Sequence, residues 1–154
     1  MESDEAAMVV AIAEARLAGE HGDVPVGAVV LRDGHVIAQR HNEREAAGDP
    51  TAHAELLALR DAAKVVGHWR LGDCTLVVTL EPCFMCAGAL VNARVKRLVF
   101  GARDERFGAV ESVFRLCDAS SLNHQIEVVS GVLAEDCRRL MRDFFRARRN
   151  VKTI

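Results

Sequence analysis

Thr75-Leu76-Val77-Val78-Thr79-Leu80-Glu81-Pro82-Cys83-Phe84-Met85-Cys86-Ala87-Gly88-Ala89-Leu90-Val91-Asn92-Ala93 reads as a strand running into a helix. Thr75–Leu80 is apolar nearly throughout, and a short run without polar alternation suits a strand covered on both faces. Pro82 lacks an N–H and can open a helix, so one is expected from about Cys83 to Ala93. A strand buried on both sides needs helices above and below it, and the rest of the chain supplies them.

Towards the N-terminus, Met8, Ala11, Ile12 and Ala15 fall at helical spacing over residues 3–19, and Gly19 suits a stop. Val26–Leu31 is a β-branched run, Asp33-Gly34 a hairpin turn signal, and Val36–Arg40 the partner strand. A polar loop with Gly48, Asp49 and Pro50 leads to a helix from about His53 to Val66, with Leu56, Leu59, Ala63 and Val66 as its expected buried stripe. Towards the C-terminus, Val95–Phe100 and Ile126–Val129 read as strands. A last helix, about Ala134–Arg148, carries Leu140, Met141, Phe144 and Phe145. The order α-β-β-α-β-α-β-β-α implies an α/β protein, a three-layer α-β-α sandwich around a central mixed five-stranded sheet.

A chain of 154 residues without a repeat, low-complexity stretch or linker is expected to form one domain, residues 1–154. With 50% apolar and 27% charged residues it has the balance of a soluble globular protein. Its apolar runs are far shorter than the ~20 residues that span a bilayer, so no membrane partner is expected. The acidic start Met1-Glu2-Ser3-Asp4-Glu5 is unlike a signal peptide, which makes a cytoplasmic location the expectation. The odd cysteine count agrees: of Cys74, Cys83, Cys86, Cys117 and Cys137, only Cys83 and Cys86 are closely spaced. The other three read as small buried hydrophobes.

The net charge of −2 argues by itself against a nucleic-acid partner, but it conceals an asymmetry. Arg138, Arg139, Arg142, Arg146, Arg148, Arg149 and Lys152 crowd the C-terminal end, offset only by Glu135, Asp136 and Asp143. Such a stripe is either a solvated helix face or a phosphate-binding surface.

Two fragments carry chemistry: His53-Ala54-Glu55 and Pro82-Cys83-Phe84-Met85-Cys86, each expected at a helix start. Cysteines three apart on a helix share a face. The helix N-terminus there favours thiolate, the metal-binding form. Two thiolates and a neutral imidazole give a Zn²⁺ site of zero net charge. They leave one tetrahedral position open, as in catalytic rather than structural zinc sites, and the metal lowers the pKa of water held there. A redox Cys-x-x-Cys would have no need of the upstream His-x-Glu, and a closed structural site would need a fourth ligand, for which Cys74 and His68 have the wrong spacing. On a regular helix His53 and Glu55 would point roughly 200° apart. They converge only if His53 stands at the very start of the helix, where Glu55 can then serve as general base and acid.

His53-x-Glu55 with Pro82-Cys83-x-x-Cys86 resembles the zinc nucleobase deaminase signature. Further blocks look like bacterial tRNA-specific adenosine deaminase: Val24–Val29, Asp49–Glu55, Thr79–Ala89, Val99–Asp104 and Asp143–Arg149. The resemblance runs from about residue 5 to residue 150. It implies a cytidine-deaminase-like sandwich, one zinc per subunit, a tRNA anticodon stem-loop as partner, and a homodimer. The implied reaction turns the wobble adenosine into inosine, with Glu55 carrying protons. Asn42 matches a loop asparagine that hydrogen-bonds the target nucleotide, although an asparagine there also suits a turn. Ala54 matches a position whose backbone contacts the base. Asp104 lies in a block placed beside the RNA, its alternative being capping or pairing with Arg103 or Arg106. Phe144 and Phe145 fit a core stripe, or one of them lines the anticodon channel as a stacking surface. Arg148 and Arg149 are the phosphate candidates. Phe107 and Val110-Glu111 depart from the small residues the family more often has, and Glu111 adds negative charge near the expected RNA surface. Deamination of a free base or nucleoside, guanine or cytosine in type, is the competing activity, and a non-catalytic zinc scaffold would be expected to lack Glu55.

Overall fold

The computed structural model describes residues 3–152, with side chains described as far as Arg149. Glu2 and Lys152, counted in the two terminal charge clusters, therefore contribute no described side chain. The elements are α1 (Asp4–Glu20), β1 (Gly27–Arg32), β2 (His35–His41), α2 (Arg44–Ala47), α3 (Ala54–Val66), β3 (Cys74–Leu80), α4 (Phe84–Asn92), β4 (Arg97–Ala102), β5 (Glu127–Ser130) and α5 (Ala134–Lys152). The strands form one sheet in the order β2-β1-β3-β4-β5. β1 is antiparallel to β2 and β3, whereas β3, β4 and β5 are parallel, so the sheet is mixed as expected.

The hairpin turn forms where Asp33 (φ 52°) and Gly34 (φ 76°) both adopt left-handed backbone, the conformation that a tight two-residue connection demands. β3 lies in the middle of the sheet, which explains its unbroken apolar run. Register sorts the strand residues by face. Val29, Val77 and Val99 are paired in a row and pack with Ala7, Met8, Ala11 and Ile12 of α1 and Cys137 of α5. The alternate rows, Ala28–Val78–Phe100 and Val30–Leu76–Leu98, pack with Ala54, Ala58 and Ala62 of α3 and Ala87 and Leu90 of α4. Helices therefore cover both faces, and the sandwich has three layers. Cys74, Cys117 and Cys137 are buried, matching their reading as small hydrophobes.

Three details differ from the sequence reading. The polar loop contains a short helix, α2, because Asp23 accepts the N–H groups of Glu45 and Ala46 at 2.7 and 3.2 Å and nucleates a turn. The buried face of α3 is Ala54, Glu55, Leu57, Ala58, Leu59 and Ala62, whereas Leu56, Ala63 and Val66 are only half-buried. Ala54, Ala58 and Ala62 belong to the core under the sheet, and their small side chains let the helix lie close to it. Pro82 does not open α4: it precedes the cap residue Cys83, and the first helical residue is Phe84.

Candidate active site

His53 is the N-cap of α3 with extended backbone (φ −80°, ψ 147°), and Cys83 is the N-cap of α4, also extended (φ −76°, ψ 179°). Cys86 follows within the first turn of α4. Two helix N-termini thus converge on one point, where the helix dipoles favour negative charge. His53 Nδ1 lies 3.6 Å from Cys83 Sγ and 3.5 Å from Cys86 Sγ. The three donor atoms all fall within 4.8 Å of one another, close enough to share one ion. No other cluster of this kind occurs among the described residues.

Neither cap residue uses its side chain to cap its helix, since both point at the shared centre. Asn42 takes over part of that duty at α3: its Oδ1 accepts the Ala54 N–H at 2.8 Å. This bond fixes the extended turn that lets His53 and Glu55 converge. Glu55 is 4% exposed, and the Cys86 thiol reaches its carboxylate. Burial pushes the Glu55 pKa up to about 7, overriding its own backbone N–H and the neighbouring His53, which both favour the carboxylate. Hydrogen bonds from the Cys86 thiol and His53 hold Cys83 down at about 4, so it is the thiolate. Cys86 is raised, first by its bond to Cys83 and then by burial, and keeps its proton.

The donor set suits a borderline-soft cation. Two sulfurs and one imidazole nitrogen converge, and among the described residues these three are the protein donors, which leaves a coordination position open.

The MafB19-like deaminase family model matches residues 2–149. The tRNA-specific adenosine deaminase of Bacillus subtilis is 49% identical over 152 residues, covering 99% of this chain and 94% of its own length. A solved tRNA:A34 deaminase, studied for A-to-I editing at the wobble position of transfer RNA, superposes with a TM-score of 0.84 at 43% identity, covering 88% of this chain and 98% of that one. This chain belongs to the tRNA-specific adenosine deaminase family. It is also similar to a guanine deaminase from Nitrosomonas europaea, with a TM-score of 0.82, 27% identity and coverage of 94% and 85% of the two chains.

The remaining residues suggested by resemblance to the tRNA-specific adenosine deaminases are placed less uniformly. Asn42 is 9% exposed, with its oxygen spent on Ala54, while its amide nitrogen has no hydrogen-bond partner among the described residues. The Ala54 N–H is likewise taken up by Asn42. Asp104 caps its own turn, accepting the N–H groups of Arg106 and Phe107 at 3.1 and 3.2 Å, and pairs with neither neighbouring arginine. Arg103 instead meets Glu111 at 3.3 Å, which offsets within the chain the negative charge that Glu111 adds.

Phe144 and Phe145 do not join either core cluster, unlike Met141 and Leu140 before them. They line a cleft of about 690 Å³ with Gly19, Gly22, Ala147, Arg148 and Arg149. Arg148 stacks over the Phe144 ring at 4.9 Å. The first half of the basic stripe is internally paired, Arg138 with Glu135 and Arg139 with Asp136, whereas Arg146 and Arg149 have no ion-pair partner among the described residues. Sequence reasoning gave no role to Glu81, which the structure buries at 2% exposure beside the cap residue Cys83. Its signal was a carboxylate placed between an apolar strand and a proline.

Proposed function

We propose that this deaminase converts adenosine to inosine at the wobble position of a tRNA anticodon by hydrolysis, in the cytoplasm, as a homodimer with one zinc ion held by His53, Cys83 and Cys86 of each subunit. The carrying observation is the convergence of these three donors beside a buried Glu55, in a chain 49% identical to a tRNA-specific adenosine deaminase over nearly its full length. Zinc held by these residues would supply Lewis acidity, lowering the pKa of the attacking water.

Overall, water adds at C6 of the flipped-out adenine and ammonia departs, so oxygen replaces the amino group. Glu55 takes a proton from the attacking water, delivers it to N1, and then assists the amino group as it leaves as ammonia. Its burial excludes bulk water from these transfers. Asn42 turns its unpartnered amide nitrogen towards the nucleotide while its oxygen holds the Ala54 turn. Phe144, Arg148 and Arg149 supply stacking and phosphate contacts along their cleft. Asp104 contributes by shaping the loop that meets the RNA.

The test is an anticodon stem-loop carrying adenosine at the wobble position, incubated with zinc-loaded protein and digested to nucleosides. Inosine is expected, with binding that weakens steeply as salt rises because phosphate contacts release counterions. Metal-loaded protein that forms no inosine would refute the proposal. The likeness to a guanine deaminase keeps a second reading in view. Salt-insensitive ammonia release from guanine, cytosine or their nucleosides would favour it. Sedimentation velocity of the purified protein tests the homodimer separately.

A further inference from the structure

The long β4–β5 connection, residues 103–126, has no helix or strand of its own, yet its first part is held from within. Glu81 ends the β3 side of this arrangement. Its own N–H donates to Ala102 at 2.8 Å, and its carboxylate faces the connection. Oε1 accepts the Asp104 N–H at 3.1 Å; Oε2 accepts those of Val110, Glu111 and Ser112 at 3.1, 2.7 and 2.9 Å. The Ser112 hydroxyl donates to Oε1 as well. Burial raises the Glu81 pKa, but these donors outweigh it and the carboxyl lies below its ordinary value. A buried carboxylate with this many donors is a stable anchor, because each donor would otherwise be orphaned.

The anchored loop lies against the metal-ligand turn. Ala109 N–H donates to the Pro82 carbonyl at 2.9 Å, one residue before Cys83. The Phe114 ring meets the Phe84 ring at 4.2 Å between centroids, one residue after Cys83. The same loop presents Asp104 at its turn and Phe107 at 63% exposure. Gly108 is the position where the loop passes over Glu81. A Cβ there would collide with Glu81 Cδ and with the Asp104 carbonyl, so only glycine allows the approach.

We propose that Glu81 is a positioning residue, which sets residues 104–112 beside the metal ligands and acts through that loop on the grip for the RNA substrate. The inference rests on the reading of the protein as a tRNA deaminase. Glu81 touches no reacting atom; it acts only through the loop that does the gripping.

Glu81→Gln replaces one acceptor oxygen by an amide that faces N–H groups, and Gly108→Ala disturbs the same network while leaving the carboxylate intact. Each variant is expected to raise KM for the anticodon stem-loop about tenfold, with kcat changed less than about twofold and zinc content retained. Hydrogen exchange at the amides of residues 110–112 should be slow in the wild type and fast in both variants. Combining the two should raise KM no further than the stronger single change, since both release one loop. Wild-type protein without inosine formation refutes the functional reading, and this inference with it. Active wild type with unchanged KM in the variants overturns the inference alone. Lost zinc or lost thermal stability with unaltered KM in the folded fraction does the same, leaving Glu81 a structural residue only.

Discussion

At the scale of single residues, Glu55 sits under opposed influences. It occupies the first turn of α3, where free N–H groups favour a carboxylate, yet 4% exposure removes water and favours the acid. Burial wins and brings the pKa to about 7. Glu55→Gln keeps the side-chain volume but cannot carry a proton. Turnover of the stem-loop is expected to fall by about 10²–10⁴-fold. Zinc content measured on the same sample should be unchanged, because Glu55 is not a ligand. Activity within a few-fold of wild type would remove it from the chemistry. His53, Cys83, Cys86 and Glu55 were legible in the sequence because short-range spacing at two helix starts placed them. The Asn42 bond to Ala54 and the Glu81 anchor were not, since both depend on N–H groups brought in from elsewhere in the chain. Spacing cannot announce a carboxylate whose donors lie more than twenty residues away.

At the scale of elements, the strands and most helices followed from apolar pattern and turn residues; most ends shifted by a residue or two, and the last helix runs past the expected Arg148 to Lys152. Of the stripe expected on α3, Leu59 is buried but Leu56, Ala63 and Val66 are only half-buried; Ala54, Ala58 and Ala62 join the core instead, because close helix–sheet approach selects small side chains. The contact of α1 with β1 follows the same rule. A Cβ on Gly27 would overlap the Ala11 carbonyl and stand 2.6 Å from the Ala15 nitrogen, backbone that cannot move aside without shifting the helix. Gly27→Ala is therefore expected to cost about 1–3 kcal/mol by overpacking. Gly88, within α4, has nothing within 4 Å of its added Cβ, so Gly88→Ala should instead stabilise by up to ~1 kcal/mol through helix propensity. Guanidinium denaturation of the pair decides the matter. If both alanines act alike, the packing argument fails.

At the scale of the whole molecule, Arg97 closes the fold by joining the start of β4 to the start of α1. Its two terminal nitrogens meet the two Asp4 oxygens at 2.7 and 2.6 Å, across a sequence separation of 93. Ser3 caps the same turn of α1, accepting the Ala6 N–H at 3.0 Å, so the helix start is fixed twice. The hydrogen bond from Arg97 holds the Asp4 carboxyl below its ordinary value, against partial burial. A carboxyl with a lowered folded-state pKa binds fewer protons folded than unfolded near that pKa. Its stabilisation is present above the unfolded value of about 3.9 and is lost as pH falls through the folded value. Asp4→Asn removes this contribution. Wild type should therefore be the more stable protein at pH 6, by a margin that narrows below about pH 4 as the wild-type carboxyl protonates. Urea midpoints of both proteins between pH 3 and 6, at fixed ionic strength, measure the margin directly. A margin that stays constant over this range, or widens towards acid, would show that the Asp4–Arg97 pair does not link α1 to the sheet through its charge.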